Sequence, residues 1–169
     1  GYRVRRAEKP PTAGCCSEDV IGDGVRDATG NWRLDATSGN VWFPNRVSAG
    51  WAHYRDGHWA WVDPWGWTWI DDAPWGFAVS HYGRWTNLRG TWGWVPGPVR
   101  ERAYYEPALV AFVGGNNFQL SFSSGNAGAV AWFPLAPREI YQPSYAVSRG
   151  YFEHINRSNT IINNTIINN

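Results

Sequence analysis

Two apolar rhythms run along this chain. From Gly30 to Pro96, aromatic residues alternate with small or polar ones, as in Trp59-Ala60-Trp61-Val62 and Trp67-Thr68-Trp69-Ile70. This period of two marks half-buried β-strands. Between these runs, Asp63-Pro64-Trp65-Gly66 places Asp first, Pro second and Gly fourth, the chemistry of a type I turn. With Gly66 in the left-handed region, a three-residue hairpin loop with a bulge is expected. The reading pairs Asp63 with Trp67 and Trp61 with Trp69, and sets Trp59, Trp61, Trp67 and Trp69 on one face. Asn87-Leu88-Arg89-Gly90 offers similar turn chemistry between Trp85 and Trp92.

The hairpin pattern recurs. Gly30-Asn31-Trp32, Gly57-His58-Trp59 and Gly83-Arg84-Trp85 are separated by 27 and 26 residues, and each is followed nine or ten residues later by Trp42, Trp69 or Trp94. Repeats of this length usually copy one supersecondary unit. The copies span 30–44, 57–71 and 83–96, and Trp132-Phe133-Pro134 echoes the ending Trp42-Phe43-Pro44, which suggests a degenerate fourth copy over 118–134. Further strands are expected in Pro107–Val113 and Gly128–Phe133, and a short helix capped by Ser148 through Tyr151–Ile155. The fold class is therefore all-β, built from tandem hairpins over 25–145. A polar arm (1–24) carrying Arg3, Arg5, Arg6 and Lys9 precedes it, and a strand-like tail (146–169) follows. No basic-then-apolar leader stands before the domain, so a signal peptide is expected to have been removed or never to have been present.

Composition sharpens this picture. Of 169 residues 13 are Trp, 19 Gly and 11 Pro, and 43% are hydrophobic, which is too apolar and aromatic for a disordered chain. A net charge of +1 removes the electrostatic case for a nucleic-acid binder. No apolar run approaches the roughly 18 residues of a membrane-spanning helix. Cys15 and Cys16 are adjacent and have no metal-ribbon or haem spacing.

The run from Val41-Trp42-Phe43-Pro44 through Gly50-Trp51-Ala52-His53-Tyr54-Arg55-Asp56-Gly57-His58-Trp59 and Pro64-Trp65-Gly66-Trp67-Thr68-Trp69 to His81-Tyr82-Gly83-Arg84-Trp85 is distinctive. With Pro107–Gly115, Trp132-Phe133-Pro134-Leu135 and the Asn-rich tail, it resembles a family of Trp-rich bacterial domains of unknown function, often found in exported proteins beside a FecR-type domain. The resemblance implies export to the periplasm, envelope or exterior, and it brings no catalytic residues.

Candidate chemistry is sparse. Asp56, Asp63, Asp71 and Asp72 offer carboxylates for a glycoside hydrolase. Yet each sits at a turn, where Asp bonds its own backbone. His53, His58 and His81 lack the spacing of a metal site. No catalytic, cofactor or metal residue is therefore assigned, and no Ser-His-Asp signature stands out. The Trp residues carry the stronger argument, because twelve of them lie between Trp32 and Trp94. A segment that short buries only ~60% of its unfolded surface, so it cannot enclose them all. Binding-face candidates are Trp51, Trp59, Trp61, Trp65, Trp67, Trp69, Trp75, Trp85, Trp92 and Trp94, with Arg55 and Arg84. Such a face suits other protein subunits, identical or different, and it also suits polysaccharide. The tandem Thr160-Ile161-Ile162-Asn163-Asn164 and Thr165-Ile166-Ile167-Asn168-Asn169 reads as an assembly tail that adds strands to a neighbour, or as a frayed end. The expected role is a structural or protein-interaction module; a glycan-binding module comes second and a hydrolase third.

Overall fold

The computed structural model describes residues 28–97, 104–113, 131–143 and 145–157. The polar arm, residues 114–130 and the tail 158–169 lie outside them. So do most of the expected fourth copy and the candidate assembly residues Ile161, Ile162, Asn163, Asn164, Ile166, Ile167, Asn168 and Asn169.

Four antiparallel hairpins make up the described chain. They are β1 (Gly30–Asp35) with β2 (Gly39–Pro44), β3 (Gly57–Val62) with β4 (Gly66–Asp71), β5 (Arg84–Leu88) with β6 (Thr91–Val95), and β7 (Val110–Val113) with β8 (Ala131–Pro134). A short helix α1 (Gly76–His81) follows β4, and α2 (Arg149–Arg157) closes the described chain. No helix among the described residues is long and apolar enough to cross a membrane. The Ser148 cap is present: its Oγ accepts the Tyr151 N–H at 3.2 Å.

In each repeat the Trp of Gly-x-Trp faces the Trp that follows it, since Trp32 pairs with Trp42, Trp59 with Trp69 and Trp85 with Trp94. The first and third hairpins then join through β2 and β6, with Trp42 opposite Trp94, into one sheet of order β1-β2-β6-β5. One row of four Trp (32, 42, 94, 85) therefore crosses the whole sheet. Trp42, Trp85 and Trp94 are buried, and Trp69, Trp75, Tyr54 and Val79 complete the core against them. Large T-shaped neighbours such as Trp42 and Trp75, 5.3 Å apart at 65°, contribute about 0.5–1.5 kcal/mol each beyond their area.

The Gly of each repeat has a packing reason. The indole of the cross-strand Trp lies where a Cβ would stand. A methyl on Gly57 would meet Trp69 Cζ2 at 2.6 Å, one on Gly83 would meet Trp94 Nε1 at 2.6 Å, and one on Gly30 would enter the Trp42 ring. Gly57→Ala is accordingly expected to cost about 1–3 kcal/mol through overpacking, read as a lower denaturant midpoint. Gly39→Ala, with nothing within 4 Å of its Cβ but a φ of 73°, separates this packing penalty from backbone strain alone.

Several expectations are corrected. In the second hairpin Trp61 pairs with Trp67 and Val62 with Gly66, two residues away from the expected register. The loop is still three residues long, but it is Asp63-Pro64-Trp65 rather than Pro64-Trp65-Gly66, and Gly66, left-handed at φ 79°, opens β4. The shift by two preserves the face, because side chains alternate with period two. In the third hairpin Leu88 pairs with Thr91, which leaves the two-residue turn Arg89-Gly90 with both residues at positive φ, the type I′ geometry that matches strand twist. Val110–Val113 pairs with Ala131–Pro134 and sets Phe112 opposite Trp132, while residues 118–130 of the expected fourth copy lie outside the described residues. Helix α1 was not foreseen, because six residues give no helical period to read.

Candidate functional site

The predicted binding face divides in two. Trp69, Trp75, Trp85, Trp94 and Arg84 lie in the interior and serve the core. Trp51, Trp59, Trp65, Trp67 and Trp92 are half-buried, and Trp61 is 53% exposed. Arg55 is exposed and donates to the Gly50 carbonyl at 3.1 Å, which braces its own loop.

Three accessible Trp, Trp59, Trp61 and Trp67, gather on one face of the second hairpin, while the exposed Phe77 and Phe133 lie on α1 and β8. Trp61 and Trp67 meet edge to face at the tip, with centroids 5.7 Å apart and planes at 90°. Next along the strand, Trp59 packs 5.6 Å from Phe112 of β7 and 5.6 Å from Trp132 of β8. The pairing of β7 with β8 thus extends an aromatic ledge beyond the hairpin. Phe112, 38% exposed, is a member that sequence reading missed. Its signal was the matching Trp132, which faces it across the strands. The rings along the ledge are tilted against one another, at 90° for Trp61 and Trp67, 88° for Trp59 and Trp132 and 48° for Trp59 and Phe112. They make a ridged surface rather than a flat one.

Two of the four candidate carboxylates are tied locally, both by indole N–H groups and Asp71 also by a turn amide. Asp71 Oδ2 accepts the Trp69 indole N–H at 3.0 Å, and its Oδ1 accepts the Ala73 amide at 3.0 Å. Asp63 accepts the Trp61 indole N–H at 3.1 Å. Exposed Asp72 lies 3.9 Å from exposed His58. Asp56 is exposed, on the wall of a cleft beside Trp51.

A buried polar thread lies behind the ledge. His53 Nε2 is 3.3 Å from Ser80 Oγ, and His53 Nδ1 is 3.8 Å from Asp71 Oδ2. The order is serine, histidine, carboxylate, drawn from three separate elements, so no sequence spacing announces it. Ser80 has no exposure at all, however, and 3.8 Å exceeds a hydrogen bond. His53 stacks on Trp85 with centroids 4.2 Å apart and sits 4.1 Å from Tyr54, so it is packed as an aromatic plate. Burial, with the neighbouring His81 second, holds its imidazole well below the ordinary range and therefore neutral. Burial also lowers His81 to about 4, although its Nδ1 lies 2.7 Å from the Glu106 carbonyl. Burial raises the Glu106 and Asp71 carboxyls, with Arg84 opposing the rise at Glu106. No group of three or more His, Cys, Asp or Glu among the described residues could hold a metal ion.

Tyr54 is the junction of these parts. Its hydroxyl donates to the Ser80 carbonyl at 2.6 Å and accepts the Leu109 N–H at 3.0 Å, while its carbonyl accepts the Trp132 indole N–H at 2.9 Å. Helix α1, the start of β7 and the middle of β8 are thereby tied to one residue. The Tyr54 ring meets Trp69 of β4 at 5.7 Å, so the second and fourth hairpins share this anchor.

No curated protein and no solved structure matches the chain. A family model described as a family of unknown function (DUF6600) matches residues 25–139, a span that takes in all four hairpins. With well over half of its length matched, from the first Gly-x-Trp to beyond the last Trp, the chain belongs to DUF6600, a family of unknown function.

Proposed function

We propose that this domain is a structural, protein-binding module of an exported assembly, and that the ledge of Trp61, Trp67, Trp59 and Phe112 is its contact face. The observation that carries the reading is a Trp held more than half in solvent on a hairpin whose Trp69 lies in the core with Trp59 packed against it. Trp is among the residues most enriched in interface hot spots. The steep ring angles favour a protein partner, whose side chains fill ridges, over a glycan chain stacked on coplanar rings. The exported setting rests on the resemblance given above, and the tandem pentapeptide at 160–169 supplies a second contact with neighbouring subunits.

A photo-crosslinking residue at position 61 in cells identifies the partner, and binding is then measured with both proteins purified. Trp61→Ala is expected to weaken that binding at least tenfold, while loss of the Trp67 contact lowers stability by only about 0.5–1.5 kcal/mol. Equal binding by wild type and by a Trp61→Ala, Trp67→Ala double variant would refute the ledge. Removal of residues 160–169 is expected to reduce the size of the assembly in solution, and an unchanged size would remove the tail from the proposal.

A further inference from the structure

On another part of the surface, a cleft of about 550 Å³ opens between the end of β2 and the loop after β4, within the usual range of small-ligand sites. Half-buried Trp51 and largely buried Trp75 form its aromatic wall. Exposed Arg46, Asp56, Asn45 and Ser48 stand around it. The ledge residues Trp61, Trp67 and Phe112 are not among its lining.

The cleft is preformed. The Asn45 N–H donates to the Thr29 carbonyl at 2.8 Å, and the Asp72 N–H donates to the Asp56 carbonyl at 3.0 Å, so both polar walls are held by backbone bonds. The Trp51 N–H donates to the Ser48 carbonyl at 3.1 Å. Behind the wall, Trp51 is braced by Trp75 at 5.7 Å and Trp85 at 5.6 Å, both edge to face. Asn45 Oδ1 accepts the Asn31 side-chain amide at 2.6 Å, which fixes its orientation and leaves the Asn45 amide nitrogen as a donor.

We infer that this cleft binds a neutral saccharide. One guanidinium and one carboxylate cancel, which disfavours phosphorylated and polyanionic ligands. The remaining groups mix donors and acceptors at close range around an aromatic surface. A sugar ring matches that arrangement, because it presents C–H groups on its faces and hydroxyls that both donate and accept around its edge. A lipid would leave the polar rim unpaired. A single zwitterionic amino acid would satisfy Arg46 and Asp56 but would leave much of the volume unfilled. The inference goes beyond the ledge reading and does not depend on it.

The test is calorimetric titration of the purified protein with cellohexaose, xylohexaose and chitohexaose, and with tetraglycine as the zwitterionic comparison. At least one saccharide is expected to bind saturably. Asp56→Asn and Arg46→Gly should each weaken it at least tenfold; glycine suits position 46, where φ is 58°. Trp61→Ala on the ledge should leave saccharide binding unchanged. No saturable binding of any of the three sugars would overturn the inference, as would binding of tetraglycine alone, or saccharide binding lost in Trp61→Ala but kept in the cleft variants. Far-UV circular dichroism and the unfolding midpoint of each variant ensure that a lost signal is not a lost fold.

Discussion

Tyr54→Phe is expected to lower the unfolding free energy by about 2–4 kcal/mol while leaving the ring's packing in place. The hydroxyl is the atom that matters. It lies in the interior, donates to Ser80 and accepts from Leu109, so its removal strands a buried carbonyl and a buried amide together. Each unsatisfied group costs about 1–3 kcal/mol. The ring contacts with His53 at 4.1 Å and Trp69 at 5.7 Å persist in Phe. Urea unfolding should therefore show a lower midpoint with the same slope. A loss under about 0.5 kcal/mol would mean that the hydroxyl does not tie the hairpins together.

The second large effect concerns His81. Its folded pKa is depressed, from 6.5 to about 4, because burial disfavours the imidazolium. In the unfolded chain it binds a proton near pH 6.5. Between those values the unfolded state holds more protons, so stability is fully present above pH 6.5 and is lost as pH falls towards 4. The shift corresponds to about 3 kcal/mol. His53 acts in the same direction. Glu106 and Asp71 act oppositely, since their raised folded pKa values make the native state hold the proton above the unfolded carboxyl range. Raw pH profiles sum these opposing slopes, so the informative quantity is the difference between wild type and His81→Gln. Relative to wild type, the variant should gain about 3 kcal/mol as the pH falls from 6.5 to 4. A constant difference across that window would show that His81 titrates normally in the folded protein.

The hairpins were legible in the chain because they are local, although in the second the reading set Trp61 against Trp69 where Trp59 stands. Each Gly-x-Trp meets a Trp nine or ten residues on, and hairpin chemistry alone brings the two together. What lay beyond reach was which copy becomes interior. His58 and Arg84 occupy the same repeat position, yet His58 is exposed while Arg84 is buried beneath α2, donating to the Ile155 carbonyl at 3.3 Å. That difference is set by a helix about seventy residues away, and no period in the repeat encodes it. The same holds for Trp69, whose backbone N–H donates to the Pro107 carbonyl. The polar thread of Asp71, His53 and Ser80 was hidden for a related reason, since three residues from three elements meet only after the hairpins pack. Among the ledge residues, Trp59, Trp61 and Trp67 followed from alternation, whereas Phe112 needed the pairing of β7 with β8.

The Trp42–Trp94 contact has a consequence for how the domain forms. The first three hairpins each close a loop of two or three residues and can assemble early, but β2 and β6 are about fifty residues apart, with the whole second hairpin between them. Joining them is the step of high contact order, and it should limit the folding rate. During synthesis the first hairpin emerges with the β2 edge unpaired and Trp42 uncovered, and it waits for the third to arrive. A chain truncated before residue 84 would keep two well-specified hairpins and still leave an open, aromatic strand edge, which is a template for association with other chains.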